Sequence, residues 1–361
     1  MLHRTSNATS IHTHTIKSCV ARLLLTLAVL GVAIHASAQS RVVEISNPYA
    51  DVNWATFGVY KGNFHTHTTQ SDGRQSPADV IDGYHAQGYH TLAITDHHHQ
   101  TPSSHPTTYP WQDFDREPML LQMVDVQGNE LSRGHHIVSL FTDYTSDIPN
   151  VPPRLTGVAT AGGIAYFAHP GRYRRSAEWY AGHYAAHPNV FGQAIYNQGD
   201  RYPGDRAKWD AVLSLTMPGR PVWGISEDDS HNASHIGRNR TYLLMPELSH
   251  ENVRAALVSG AFYATYSISS NHTPPALTSV TVDEGVGTIT LTATNYTSMR
   301  WISMGAEVAT GATIDLVNTP GVDRYVRAEF QGEEGRTYTN PFGITAWFVN
   351  RPPAVSAGPA Q

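Results

Sequence analysis

Short apolar runs alternate with amphipathic stretches from about Val59 to about Tyr266, the texture of a chain that mixes strands and helices. The first candidate strand ends at residues 64–66. Ser76-Pro77-Ala78-Asp79 then reads as a helix start. The serine oxygen can accept from a first-turn amide, the proline is preset for the first turn, and the aspartate can reach back to the cap. This helix is predicted to run to about Gln87, with Gly88 as its left-handed stop. Further strands are predicted at residues 91–95, 120–126, 137–141, 164–167, 190–195 and 222–225. Helical periodicity falls on residues 205–215 and 249–259, the second closed by Gly260. Strands that recur with helical pattern between most of them predict an α/β barrel or a doubly wound sheet.

The texture changes after Asn271-His272-Thr273-Pro274-Pro275. Residues 277–282, 288–293, 300–303, 313–316, 325–330 and 344–348 read as short alternating strands between Gly- and Asn-rich turns, which predicts a small all-β sandwich. Residues 351–361 form a Pro/Ala/Ser tail, read as flexible. At the other end, Arg4, Lys17 and Arg22 precede or open an apolar run at 23–34, followed by Ala36-Ser37-Ala38. That is the layout of a secretory signal peptide cut near Ala38–Gln39, and the run is short for a membrane span of ~20 residues. The expected organisation is a signal peptide at 1–38, an α/β domain at 39–270, a β-sandwich at 274–350 and a tail at 351–361. The protein is expected in the periplasm or outside the cell.

Composition narrows the chemistry. Hydrophobic residues at 40% and charged residues at 15% fit a packed core. The formal charge of -6 becomes -9 once the three basic residues of the leader are removed, which disfavours a nucleic-acid partner. The single cysteine, Cys19, lies in the leader, so disulfide frameworks and thiolate metal sites are excluded from the mature chain. Histidine is the anomaly: 21 of them against 24 lysines and arginines.

Many of these histidines sit at strand ends beside carboxylates. His65-Thr66-His67 closes the first strand, and alternation along an extended chain sends both rings from one face, as two ligands of one metal require. Asp72 lies in the following loop. Thr95-Asp96-His97 ends the second strand, Gly128-Asn129-Glu130 the third, Ala168-His169-Pro170 a later one, and Asp229-Ser230-His231 lies just past another. Sites in α/β folds assemble where strands end.

In order and spacing, His65-x-His67, Ser71-Asp72-Gly73, Ile94-Thr95-Asp96-His97, Glu130, His136, Ala168-His169-Pro170 and Asp229-x-His231 resemble the PHP (polymerase and histidinol phosphatase) superfamily. The leader, the loop after His97 and the β-rich C-terminal part look like its secreted carbaryl-hydrolase-like branch. The resemblance implies a distorted (β/α)7 barrel holding two or three divalent ions of zinc, manganese or iron. One ion would take His65 and His67, with Glu130 and Asp229 as bridges. A second would take Glu130, His136 and His169, with His136 preferred to His135 because it directly precedes the apolar strand. A third would take Asp72, His97 and His231.

Such an array lowers the pKa of a bridging water to give hydroxide near neutral pH and polarises the bond under attack. Glu130 and Asp229 are therefore the expected catalytic carboxylates. Arg172, Arg174 and Arg175 follow the His169 turn, and Arg238 and Arg240 follow the His231 turn. Arg172 and Arg238 are the expected phosphate-binding pair. Asp96 is expected to orient a ligand histidine, His98 and His99 to be exposed, and Tyr109, Trp111 and Phe114 to pack on the rim or cover the site. His183, His187 and His250 read as surface or packing residues on helices.

The function these residues imply is a secreted metal-dependent hydrolase of small phosphate esters. Hydrolysis of a carboxylic ester, carbamate or amide on the same centre is the alternative, favoured by an apolar rim without arginine. A non-catalytic binding protein is a third reading, against which the full ligand set argues. No residue beyond Thr273 is expected to supply a ligand.

Overall fold

The helix marked at Ser76 forms as Pro77–Ala86 in the computed structural model, which describes residues 39–98 and 108–350. Ser76 Oγ accepts from the Asp79 amide at 3.2 Å, and Asp79 Oδ2 accepts from the Ser76 amide at 3.3 Å. Its buried face of Val80, Ile81 and Tyr84 packs on Leu92, Trp111 and Ile236. This helix thereby anchors two of the loops that carry site residues.

Two mixed sheets position the rest. The larger runs Gln39–Ser46, Phe342–Asn350, Tyr325–Gln331, Gly335–Thr339, Phe262–Ser267, Asn239–Met245, Gly58–Asn63, Thr91–Leu92, Val124–Asp125, with Ser298–Ser303 also on Tyr325–Gln331 and Ala306–Thr310 beyond it. The second orders Gly128–Leu131, Ile137–Leu140, Ile164–Phe167, Val190–Asn197 and Trp223–Glu227. Every residue of these five strands is buried, as in a sheet covered on both faces. The sheets meet where the candidate ligands lie: Thr66 bridges to Ser230 and His97 to Glu130. The strand Trp223–Glu227 also meets Asn239–Met245 through Thr241, whose Oγ1 accepts from Ser226 N at 3.2 Å and donates to Ser226 O at 2.9 Å.

The α/β class holds, but no closed barrel of paired strands occurs among the described residues. Residues 120–126 depart from the expected strand: Pro118–Leu121 is a helical turn and only Val124–Asp125 is extended. Pro118 suits a first helical turn, and Met119 and Leu120 are 87% and 82% exposed rather than core-facing. Helices Val151–Thr160 and Ala177–Ala186 fill two further connections, the first on the apolar stripe Val151, Leu155 and Val158, the second with a weak apolar pattern.

The C-terminal strands form a sandwich-like stack. Ala276–Asp283, Thr288–Thr294 and Thr313–Asp315 make a three-stranded sheet. Its Leu277, Ile289, Leu291 and Ile314 pack with Met299, Trp301, Phe330 and Phe342 of the large sheet, and Val43 and Ile45 of the first strand join them. The change of texture after Thr273 marks no break in hydrogen bonding. Phe262–Ser267 pairs with Gly335–Thr339, and Asn340 Nδ2 donates to Gly260 O and Phe262 O at 3.0 and 3.1 Å. Gln39–Val349 is one compact unit. The expected leader and tail lie outside the described residues, as do His99 and Cys19. Among the described residues no helix is long and apolar enough to cross a membrane.

Candidate metal centre

The extended run after Gly58–Asn63 is held on both sides. Asn63 Oδ1 accepts from His65 N at 3.1 Å, and His67 N donates to Ser230 O at 2.8 Å. Held in this way, the two imidazoles emerge on one side, with their Nε2 atoms 3.1 Å apart. Glu130, buried in Gly128–Leu131, occupies the middle of the cluster. Its Oε1 lies 2.7 Å from His136 Nδ1, 3.3 Å from His169 Nε2 and 3.5 Å from His65 Nε2. Its Oε2 lies 2.8 Å from His97 Nδ1 and 3.7 Å from His67 Nε2.

Two aspartates complete the array. Asp229 Oδ1 stands 3.1 Å from His67 Nε2, 3.5 Å from His65 Nε2 and 3.6 Å from His231 Nδ1. Asp72, the most exposed member, stands 3.4 Å from both His97 Nε2 and His231 Nε2, and 3.8 Å from His67 Nδ1. All the residues proposed as ligands are thus brought together. Donor atoms of His65, His67 and Glu130 lie within 4.8 Å of one another, as do those of His97, Glu130 and His136, and those of His67, Asp72, His97 and His231.

These residues fit divalent cations. Imidazole nitrogens converge on each other and on carboxylates in a buried space, and the donors are nitrogen and oxygen alone, suited to zinc, manganese or iron. His169 and Asp229 also hold left-handed backbone, with φ of 31° and 44°, unusual for residues other than glycine and typical of constrained sites.

Charge organises the cluster. Burial works to raise Glu130's pKa, but His136, His65 and His97 outweigh it and hold the carboxyl well below the usual range. Burial works to lower His65, yet Glu227, Asp229 and Glu130 hold it well above an ordinary imidazole. His97 is pushed up to about 10, with Glu130 and Asp72 overcoming burial. His67 and His136 go down, burial being the largest cause.

The signs give a testable pH dependence. In metal-free protein, the depressed carboxylates stabilise above about pH 4 and lose that contribution as pH falls. The raised histidines contribute fully below about pH 6.5, and that contribution fades as pH rises toward about 10. Metal must displace those protons, so the zinc-induced rise in Tm is expected to be small at about pH 5 and largest near about pH 8. Thermal melts with chelator and with zinc check this; an equal rise at both pH values would contradict it.

Around the cluster several expectations change. His135 turns away: its Nε2 lies 2.7 Å from Tyr180 Oη and its ring stacks on Tyr173 and Trp179, so His136 is the neighbour that faces Glu130. Asp96 orients no ligand histidine directly; it accepts from Thr68 N, Thr68 Oγ1, Ser71 Oγ and Tyr109 Oη at 2.5–2.7 Å and so shapes the loop carrying Asp72. His98 is buried rather than exposed, because its ring lies against the Glu130 carbonyl. Trp111 packs under the Pro77–Ala86 helix.

A cavity of about 390 Å³ opens over the cluster, lined by Arg172, Arg201, Tyr202 and Ser132 besides the ligand candidates. Arg172 stands where the sequence placed it. Arg238 is not among the lining residues; its guanidinium lies beside Gly199 and 5.9 Å from the Tyr266 ring centre. Arg201 and Tyr202 were missed, since they follow a strand that carries no ligand. Glu227, Tyr166 and Asn197, which back the cluster, were also missed; the signal was a string of polar residues, Glu227-Asp228-Asp229, leaving an apolar strand.

No known family profile matches the sequence, and no curated protein sequence matches it. Solved structures do. A two-domain protein from Bacteroides vulgatus, described as containing a predicted PHP-like metal-dependent phosphoesterase, superposes with TM-score 0.51 at 15% identity over 80% of this chain and 96% of its own. An amidohydrolase from Chromobacterium violaceum, solved with sulfate and no metal, gives 0.35 at 17% over 47% and 87%. A lesion-specific endonuclease from Pyrococcus furiosus gives 0.39 at 12% over 56% of each chain. The first of these extends through nearly the whole two-domain protein, and it shows that this chain shares that protein's fold.

Proposed function

We propose that this protein is an exported metal-dependent hydrolase of small phosphate esters, with two or three divalent ions held by His65, His67, Asp72, His97, Glu130, His136, His169, Asp229 and His231. The observation that carries the reading is the polar cavity above the cluster, walled by two arginines. When bound, such ions lower the pKa of water and polarise the ester under attack. Glu130 and Asp229 reach several histidines each and fit as bridges that set the ion spacing. Arg172 and Arg201 can hold phosphate oxygens by charge-assisted hydrogen bonds, and Gln198 steadies Arg201 at 2.7 Å. Tyr202 lies against the His169 ring, 5.5 Å between ring centres, and lines the cavity. The two sheets meet through isolated bridges and the Ser226–Thr241 hydrogen bonds, an arrangement that fits an opened form of the barrel. Among the described residues no aliphatic side chain lines the cavity, which gives the carboxylic ester or carbamate reading less support.

Elemental analysis of the purified mature chain, followed by p-nitrophenyl phosphate, phosphodiester, acetate and carbamate substrates, tests the proposal. Metal retention with turnover of a phosphate ester is expected. Trace metal with no activation by zinc, manganese or iron would sink it. Arg172→Ala and Arg201→Ala are each expected to raise KM for phosphate esters by about 10-fold or more. Unchanged steady-state kinetics in both variants would shift weight to the other esters.

A further inference from the structure

We infer that Glu227 is a positioning residue of the metal centre, holding His65 from behind and coupling it, through Tyr166 and Asn197, to Asp229. The inference rests on the metal-dependent reading above.

Glu227 ends the strand Trp223–Glu227 and is fully buried. Its Oε2 lies 3.0 Å from His65 Nδ1, the ring nitrogen on the opposite side from the Nε2 that faces Glu130 and Asp229. The contact is bent from the N–H direction, so it acts chiefly through charge. Both carboxylate oxygens are engaged elsewhere too. Tyr166 Oη donates to Oε2 at 2.6 Å, and Asn197 Nδ2 donates to Oε1 at 2.9 Å. The same Asn197 amide lies 3.1 Å from Asp229 Oδ2, the oxygen turned away from the histidines. Tyr166 Oη also lies 3.1 Å from the carbonyl of Phe64, the residue before His65.

A buried carboxylate is costly unless it is paired and hydrogen-bonded. Among the described residues Glu227's ion-pair partner is His65, with no lysine or arginine in contact. Its charge favours a proton on His65 Nδ1 and turns the Nε2 lone pair toward the cluster, the arrangement in which an outer carboxylate sets a ligand's tautomer and basicity. Asn197 bridges the two carboxylates, so Glu227 and Asp229 keep a fixed separation. Tyr166 comes from Ile164–Phe167 on the second sheet and His65 from the large one, so the network also registers the two sheets at the site.

The test uses the full mature chain and zinc competition against a chromophoric chelator, with Tm of the metal-free protein read in parallel. Glu227→Gln keeps the shape and removes the charge. It is expected to weaken zinc binding about 10–100-fold while the metal-free protein keeps a cooperative melt at a modestly lower Tm. Tyr166→Phe removes one hydroxyl and is expected to weaken zinc several-fold with the same Tm pattern. Wild-type zinc affinity in Glu227→Gln would overturn the inference. So would a loss of affinity accompanied in both variants by loss of the cooperative metal-free transition, since that marks a structural role. If the wild-type chain holds no zinc, this inference falls, and the hydrolase reading falls with it only where manganese and iron also fail to bind. If it holds zinc, the variants weaken it and no ester is turned over, only the hydrolase reading falls.

Discussion

Glu130→Gln is expected to strip metal from the centre and lower turnover of a phosphate ester by about 1,000-fold or more, roughly 4 kcal/mol of transition-state stabilisation. The size follows from position. Five histidines, from four separate segments, present a ring nitrogen within 3.7 Å of this one carboxylate. An amide removes the negative charge that balances them and turns an N–H₂ toward at least one nitrogen that should face a cation. No other carboxylate in the cluster touches as many. Metal content by elemental analysis and kcat/KM on p-nitrophenyl phosphate check the expectation. A variant with wild-type metal content and turnover would remove Glu130 from the centre.

Arg327→Ala is expected to lower folding stability by about 3–5 kcal/mol. Arg327 is buried on Tyr325–Gln331, and its guanidinium reaches Asp210 of the helix Gly204–Thr216 at 2.8 and 2.6 Å and Glu329 at 2.7 Å. The guanidinium also lies 4.9 Å from the Trp209 ring centre. Alanine leaves two carboxylates without their shared cation and opens a void beside Trp209. Arg300 also meets Glu329, at 2.5 Å, but its side chain is 51% exposed. Arg300→Ala is therefore expected to cost less than about 1 kcal/mol. Chemical denaturation of both variants decides the matter, and equal losses would contradict the account. The same contact bears on the C-terminal strands, since it fastens them to a helix whose loop adjoins the site through Gly171 N and Asp205 Oδ1, 2.5 Å apart.

The helix at Ser76 and the strands at 137–141, 164–167, 190–195 and 222–225 were legible because their signals are local: a cap, a proline, a buried apolar run. Residues 120–126 misled for the same reason. Their apolar content fits a strand, but Pro118 and the exposure of Met119 and Leu120 made a helical turn instead. Glu227 illustrates a different blind spot. A glutamate ending a buried strand has no spacing motif, and its role depends on Tyr166 and Asn197, far away along the chain.

By itself, the sequence marked the candidate donors: histidines and carboxylates at segment ends, with its single thiol, Cys19, far from them along the chain. Residue chemistry and local backbone preference carry that information, and neither needs a partner in space. Tertiary structure decided everything that depends on two segments meeting. It turned His136 inward and His135 outward, because Tyr173, Trp179 and Tyr180 already pack the latter. It set Arg201 in the cavity wall and left Arg238 beside Gly199. It also joined the C-terminal strands to the α/β part through Phe262–Ser267, where the change of texture had suggested a boundary. Strand partners and side-chain neighbours are fixed by burying apolar surface and pairing polar groups across the whole chain, a condition no local window contains.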